Sequence, residues 1–315
     1  MKRTRVVLVL TLGVLLAVLF TAPAAAKQFK IGINNFGQAN FFARIGREAM
    51  LQEVKKLGGV PVATVTDNVP ARTAAIENFI AQGVDAILIQ EGDIKMVAPV
   101  LKEAKKKGIL IASVDAGFTE DVDVIVESNN WILGVMAATN LLSASDGEAR
   151  VVEIYNDLGQ MIRMRRKMLQ TMLTEYPSSK IVAGFTYAWP DFFPDVKAKM
   201  EAVLQANLKK GSINAVFATF DGAGVAAAQA IREAGRTKEI KVVGIDGDPN
   251  AYEEMKKADS PYIGTVAQDP DTIARTAVQK IFAMLKGNKK AAGHYYIPGI
   301  WVSRDEILAN PNKYK

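Results

Sequence analysis

The sequence contains no cysteine and a single histidine, His294. Without cysteine there is no disulfide, no thiolate zinc site and no cysteine nucleophile, so stability has to come from a packed core. The lone histidine has no serine or carboxylate partner in its local sequence. A Ser-His-Asp triad or a His-based metal site therefore has little to build on. No P-loop occurs. The oxygen-rich stretch Asp246 to Asn250 lacks the spacing and terminal glutamate of a calcium loop. No metal site is expected.

Long apolar runs are equally scarce. The run from Val6 to Phe20, broken by Thr11 and Gly13, follows the basic MKRTR and precedes the small residues TAPAAA. Ala24 and Ala26 are placed for cleavage before Lys27. These are the three parts of a secretory signal peptide, and the run is shorter than the ~20 residues of a membrane-spanning helix. Residues 1–26 are expected to be removed, leaving a mature chain in the periplasm. With no cysteine after the cleavage site, a lipid anchor is excluded. Loss of Lys2, Arg3 and Arg5 takes the formal charge from +6 to about +3. The remaining bases are dispersed, apart from KEAKKKG and RMRRK, and give no basic stripe for nucleic acid.

What is present is a chain of 315 residues, 49% hydrophobic and 23% charged, enough for two domains of ordinary size. From Lys30 short β-branched runs alternate with amphipathic stretches at a spacing of about 25–30 residues, the rhythm of β-α-β units and parallel sheets. FKIGI, VPVATVT, DAILIQ and ILIASVD read as strands, with helices over Phe41 to Leu57, from Pro70 to Gln82 and over VAPVLKEAKKKG. After the weaker stretch VDVIVESNNWILG the series restarts with ARVVEIY. Helices are expected over Met161 to Tyr176, Asp195 to Leu208, Val225 to Ala234 and near Ala251 to Lys257. Asp269 is a good N-cap, with Pro270 at the first position of a helix through Lys286. YYIPGIWVS reads as one last strand.

Two successive series imply two doubly wound α/β lobes, with the break near Ser128 to Trp131. In such sheets ligands lie beyond the carboxyl ends of the strands. The residues there are Asn35, Gln90, Asp115, Tyr155, Asn156, Phe220, Asp221, Asp246 and Gln268. Phe41 and Phe42 follow the first strand, Trp189 follows another, and Arg163 opens a helix. Carboxylates and amides bind hydroxyls in fixed directions, and aromatic rings offer flat apolar faces. The set suits a sugar or polyol. Singly, each member also has a plain structural role, as a cap, a turn former or a core ring.

One stretch argues for an enzyme. Gly222-x-Gly224-x-x-Ala227 follows a strand, and Asp246 lies about twenty residues on, the outline of a dinucleotide-binding turn. Asp221 would crowd a pyrophosphate there, and close helix–sheet packing also explains the small residues. No cofactor is expected.

The order of ANFFARIGREAMLQEVKKLGG, ENFIAQGVDAILIQ, KKKGILIASVDAG, ESNNWILGVMAA, VFATFDGAGVAAAQAIREAG, VVGIDGDPN and GTVAQDPDTIA resembles the type I periplasmic solute-binding proteins, in the ribose-binding branch. The likeness runs from Lys30 to about Val302. It implies two Rossmann-like lobes joined by three hinge strands, residues 27–129 with 269–293 and residues 130–268 with 294–315. It implies a monomeric, non-enzymatic receptor that closes on one sugar and serves an ABC permease. Phe41 and Phe42 fall on the family's sugar-packing aromatics, Asp115 and Arg163 on its hydroxyl-binding acid and arginine, and Asp246 and Gln268 on its late aspartate and hinge glutamine. Trp189 lies near the second-lobe aromatic. Ala39, Gln90 followed by Glu91, Ala116 and Phe220 depart from the ribose pattern. They point to another pentose, a hexose, a polyol or a less polar ligand such as a nucleoside or signalling molecule.

Overall fold

The structure, a computed structural model, describes residues 27–314. The expected signal peptide lies outside them. In chain order the elements are β1 (Lys30–Phe36), α1 (Phe41–Lys56), β2 (Val60–Thr66), α2 (Val69–Ala81), β3 (Ala86–Gln90), α3 (Ala98–Lys106), β4 (Leu110–Val114) and β5 (Val124–Glu127). There follow α4 (Asn130–Ser143), β6 (Arg150–Tyr155), α5 (Gln160–Leu173), β7 (Lys180–Thr186), α6 (Phe192–Ala206), β8 (Ala215–Ala218), α7 (Asp221–Glu233) and β9 (Lys241–Asp246). The chain ends with α8 (Pro249–Lys256), β10 (Tyr262–Ala267), α9 (Pro270–Leu285), β11 (Gly293–Tyr296), β12 (Ile300–Ser303) and α10 (Arg304–Ala309).

The strands make two six-stranded sheets, ordered β11-β5-β4-β3-β1-β2 and β12-β10-β9-β8-β6-β7. Every pairing is parallel except β10 with β12. Helices cover both faces of each sheet, so the central strands are apolar throughout, and all five residues of β3 are buried. In the first lobe α1 and α9 pack on one face, around Ile33, Met50, Leu88 and Ile281. Ile76, Phe79, Ile89 and Leu101 fill the other face. The second lobe repeats the plan, with Val216, Ile231 and Met255 on one side and Leu141, Leu169 and Phe217 on the other.

Local chemistry sets the helix starts. The Asn40 side chain accepts from the Ala43 N–H at 2.6 Å and starts α1. Asn68 does the same for α2, with a proline in its first turn. Asp269 caps α9 just before Pro270, as the sequence indicates.

The chain passes between lobes between β5 and α4, between β10 and α9, and between β11 and β12. The first two passages follow Glu127 and Ala267. The third is later: residues 294–296 belong to β11, which pairs with β5 of the first sheet. YYIPGIWVS is therefore two strands in two sheets, not one, split around Pro298 and Gly299. The weak stretch VDVIVESNNWILG supplies β5 and then opens α4, a helix the sequence did not mark. Its apolar content buries a whole face and leaves little amphipathic contrast.

Candidate functional site

Each sheet has order 2-1-3-4-5, and in such sheets a crevice opens at the carboxyl ends, beside the first strand. The two crevices face each other here, and the cleft between them is lined from both lobes. From the first lobe come Phe36, Asn40, Phe42, Glu91, Gly92 and Asp115. From the second come Asn156, Leu158, Met161, Ile162, Arg165, Tyr187, Trp189, Phe220 and Asp246, with Gln268 at the second crossing.

Three carboxylates sit directly at strand ends. Glu91 follows β3 with φ 53°, Asp115 follows β4 with φ 48°, and Asp246 ends β9 with φ 141°. Left-handed backbone at a non-glycine residue costs about 1–3 kcal/mol and is typical of functional sites. It turns each side chain off the strand line and into the cleft. The Glu91 turn is held from behind by Arg72. Its Nη1 and Nη2 each donate at 2.7 Å, to the carbonyls of Glu91 and Gln90. Its Nε donates to Asn34 Oδ1 at 2.7 Å.

A polar chain links the lobes through the hinge. Asn130 Nδ2 donates to Asp115 Oδ1 at 3.1 Å, and Asn130 Oδ1 accepts from Arg165 Nε at 2.8 Å. Arg165 Nη1 donates to the Thr219 carbonyl at 2.9 Å and to Asp246 Oδ1 at 3.3 Å. Gln268 Nε2 donates to the same Asp246 oxygen at 2.8 Å.

Burial dominates the electrostatics. Desolvation, then the nearby Asp115 charge, pushes the Glu91 carboxyl up to about 8. Asp115 and Asp246 are also raised by burial, against the pull of Arg165. Glu127, beside the first crossing, is pushed up to about 8 by burial and by Asp115.

The second-lobe wall is aromatic. Trp189 stacks on Phe192 at 5.8 Å, and the Phe220 ring meets Phe192 edge-on at 4.9 Å and Tyr187 at 5.0 Å. Trp189 Nε1 and Gln268 Oε1 are buried without a partner among the described residues. Such groups are costly unless something satisfies them. Close approach of the lips requires glycine. A Cβ on Gly37 (φ 78°) would stand 3.0 Å from Trp189 Nε1, and one on Gly117 (φ 86°) 2.5 Å from Gln160 Oε1.

Of the residues expected from sequence, Phe42, Asp115, Asn156, Trp189, Phe220, Asp246 and Gln268 line the cleft. Asn35, Phe41, Gln90 and Arg163 do not. Asn35 and Gln90 are fully buried and hydrogen-bond each other behind the wall. Phe41 is half-buried outside the lining. The arginine facing the cleft is Arg165, not Arg163. Helix geometry explains the difference: Arg165 is one turn from Met161, which also lines the cleft, whereas Arg163 lies on the flank of α5. The sequence reading passed over Asn40 and Tyr187, and named Glu91 only as a departure from the ribose pattern. Glu91 was detectable as the residue between a strand end and Gly92.

The glycine-rich turn is packing. A Cβ on Gly224 would lie 2.6 Å from the Tyr262 hydroxyl, and one on Gly222 2.6 Å from the Phe220 ring. Asp221 accepts from the N–H groups of Gly247 and Asp248, each at 2.8 Å, and from Tyr262 and Thr265. It is a structural anchor, fully buried at the start of α7. His294 does have a carboxylate partner, Glu127 at 2.9 Å, which comes from β5, distant in sequence. Among the described residues no helix is long and apolar enough to cross a membrane, and no cluster of His, Asp and Glu could hold a metal ion.

Two doubly wound lobes, three crossings and a polar, aromatic cleft between facing strand ends define a two-lobed solute-binding protein. Residues 31–289 match the family model described as a periplasmic binding protein domain. A xylitol-binding protein of Mycolicibacterium smegmatis is 26% identical over 276 residues, 86% of this chain and 76% of its own. The ribose import binding protein of Bacillus subtilis is 27% identical over 307 residues, 91% of this chain and 94% of its own. An ABC transporter solute binding protein from Agrobacterium vitis, solved with bound allitol, is 30% identical with a TM-score of 0.85, covering 92% of this chain and 99% of its own. The chain belongs to the periplasmic binding protein family, in the type I, ribose-binding-protein-like group of sugar ABC transporter solute-binding proteins, which are not enzymes.

Proposed function

We propose that the mature chain is a monomeric periplasmic receptor that closes around a monosaccharide or polyol other than ribose and delivers it to an ABC permease in the membrane. The observation that carries this is the cleft wall, with Glu91, Asp115 and Asp246 at facing strand ends and Arg165 from α5, beside Phe42 and Trp189. Carboxylates and the arginine suit a ring of hydroxyls, and the aromatic faces suit the C–H side of the same molecule. Phe42, Asp115, Trp189, Phe220, Asp246 and Gln268 are the proposed contacts, with Glu91 and Arg165 beside them. Relatives named for ribose and xylitol, and a similar structure holding allitol, support the ligand class.

The departures from the ribose pattern argue for a different member of that class. Ala116 is fully buried in the core, and Phe220 faces the cleft with an apolar ring. Ribose hydroxyls that need donors at those positions would go unpaired, which costs affinity heavily. Closure follows from differential contact, because a ligand touching both walls stabilises the form in which both are close.

The test is a thermal-shift screen of the chain from Lys27 onward, unfolded and refolded beforehand to strip carried-over ligand. Pentoses, hexoses, polyols and nucleosides are compared. A large shift with one sugar or polyol and little with ribose is the expected result, since ligand bound to the native state raises its stability. A shift confined to nucleosides would overturn the ligand class.

A further inference from the structure

The cleft has more acceptor capacity than a neutral polyol uses, and it holds more acidic groups than cations. Glu91, Asp115 and Asp246 line it against one cation, Arg165. Arg165 is already committed to Asp246, Asn130 and the Thr219 carbonyl. On the first-lobe wall Glu91 and Asp115 stand at neighbouring strand ends, close enough for the Asp115 charge to oppose ionisation of Glu91. The cation behind them, Arg72, is 1% exposed and spends its N–H groups on Asn34 and on two main-chain carbonyls. Even with Arg72 counted, the three carboxyls outnumber the cations by one, so burial leaves Glu91 to keep its proton before a ligand binds, and Glu127 adds a further carboxyl behind Asp115.

The side-chain donors recorded for these two acids are both amides, Asn40 Nδ2 to Glu91 at 3.2 Å and Asn130 Nδ2 to Asp115 at 3.1 Å. Gln268, 9% exposed, adds a buried Oε1 with no donor among the described residues. A hydroxyl brings one donor and two acceptor lone pairs to such a wall. An ammonium group brings three donors, no acceptor and a positive charge.

We infer that the ligand carries a protonated amine, as an amino sugar or amino polyol does, and that Glu91 together with Asp115 receives it. The inference rests on the sugar or polyol reading above and narrows it. Glu91 is the selective element, because its left-handed backbone turns the carboxylate into the cleft. Asn40, at the start of α1, steadies one of its oxygens. The ionisable groups acting on Glu91 are Asp115, Arg72 and Arg165. With its carboxyl pushed up to about 8, Glu91 is largely protonated at neutral pH. An ammonium would stabilise the carboxylate and set that proton free, whereas a neutral polyol would leave it in place.

Calorimetric titration with matched pairs tests this: sorbitol and 1-amino-1-deoxysorbitol, glucose and glucosamine, myo-inositol and its amino-deoxy analogue. Each is run at pH 7 in phosphate and in MOPS, whose ionisation enthalpies differ and neither of which is an amino polyol. The expected result is one amine binding at least about tenfold tighter than its hydroxyl parent, with a buffer-dependent heat that reports proton release. In Glu91→Gln the ratio of amine to parent affinity falls towards one and the proton release is lost, whatever the change in the parent's own affinity. Proton release needs no variant, so the test stands even if Glu91→Gln fails to fold. Parents that match or exceed their amines in every pair overturn the amine inference and leave the sugar reading intact. An amine preference that survives Glu91→Gln overturns the role of Glu91. If no pair binds, while a ligand outside the sugars and polyols does, both readings fall.

Discussion

Arg163 reaches across the lip of the cleft to Asp93, placing Nη2 2.5 Å from Oδ2. Asp93 belongs to the first lobe, where its side chain caps a short 3-10 turn, and Arg163 to α5 of the second. Arg163 Nη1 also donates to the Asp157 carbonyl at 2.7 Å, which holds the guanidinium in position. Beside this pair the Phe118 N–H donates to Gln160 Oε1 at 3.3 Å, again from one lobe to the other. These contacts exist only when the lobes are close, and neither Arg163 nor Asp93 lines the cleft.

Arg163→Ala is therefore expected to weaken every ligand alike. The Arg163 side chain is 34% exposed, and pairs of that kind contribute about 0.2–1 kcal/mol, or roughly 1.4-fold to fivefold in affinity. Calorimetry with two or more ligands checks it. A changed ratio between ligands would mean that Arg163 touches the ligand after all. High salt should shrink the difference between variant and parent.

Arg165 should behave differently. It is 2% exposed and serves Asn130, Thr219 and Asp246 at once. Arg165→Met leaves a buried carboxylate and a buried carbonyl without their partner, at a cost of about 3–5 kcal/mol. Binding should fall by more than about a hundredfold, since a charge-assisted donor is lost from the cleft. Adding Asp246→Asn should restore part of the stability, read by urea denaturation, and none of the affinity. Full recovery of binding would remove Arg165 from the site.

The fold was legible because β-α rhythm is a local signal. Buried strands such as β3 and capped helices such as α1 and α9 write their identity within a few residues. The strand-end aspartates Asp115 and Asp246 were legible for the same reason, since the end of an apolar run marks the place. Less visible was whatever depends on angle around an axis or on pairing between distant segments. RMRR offers three bases within four residues, and only the placement of α5 against the other lobe selects Arg165. Asn35 and Gln90 sit at strand ends too, yet they face each other across β1 and β3 instead of the cleft. The split of the last strand depends on β11 finding β5, and the partner of His294 is found only through that same pairing.

Stability should fall as pH rises through neutrality. Glu91 and Glu127 are both pushed from 4.5 up to about 8, so between those values the folded chain holds protons that the unfolded chain has released. Their contribution is complete below about 4.5 and is lost as pH rises through 8. His294, which burial pushes below 6.5, acts in the opposite sense and only as pH falls. Calorimetric melting without ligand should therefore give a higher Tm near pH 5.5 than near pH 8.5. In Glu91→Gln the difference should narrow. An unchanged pH slope in that variant would show that Glu91 titrates normally and that the acid wall is better solvated than its burial implies.

The two aromatic walls should separate core from contact. Phe42 is 2% exposed and packs with the first-lobe core that includes Ile33 and Leu88, while also lining the cleft. Phe42→Ala removes a core ring and should cost about 3–5 kcal/mol. A weaker apparent affinity in that variant would be hard to interpret alone. Trp189 is half-buried, and its ring rests on Phe192 at the edge of the second lobe. Its Nε1, close to Gly37 of the other lobe, has no protein partner among the described residues. Trp189→Phe keeps an aromatic face and removes that donor. It should change stability by less than about 1 kcal/mol, because one modest aromatic stack is largely retained, and should weaken binding at least about tenfold if a ligand oxygen accepts from the indole. Urea denaturation and calorimetry on the same preparations give both numbers. Unaltered affinity in Trp189→Phe would assign the tryptophan to covering the lobe edge and leave Phe42 as the aromatic face against the ligand.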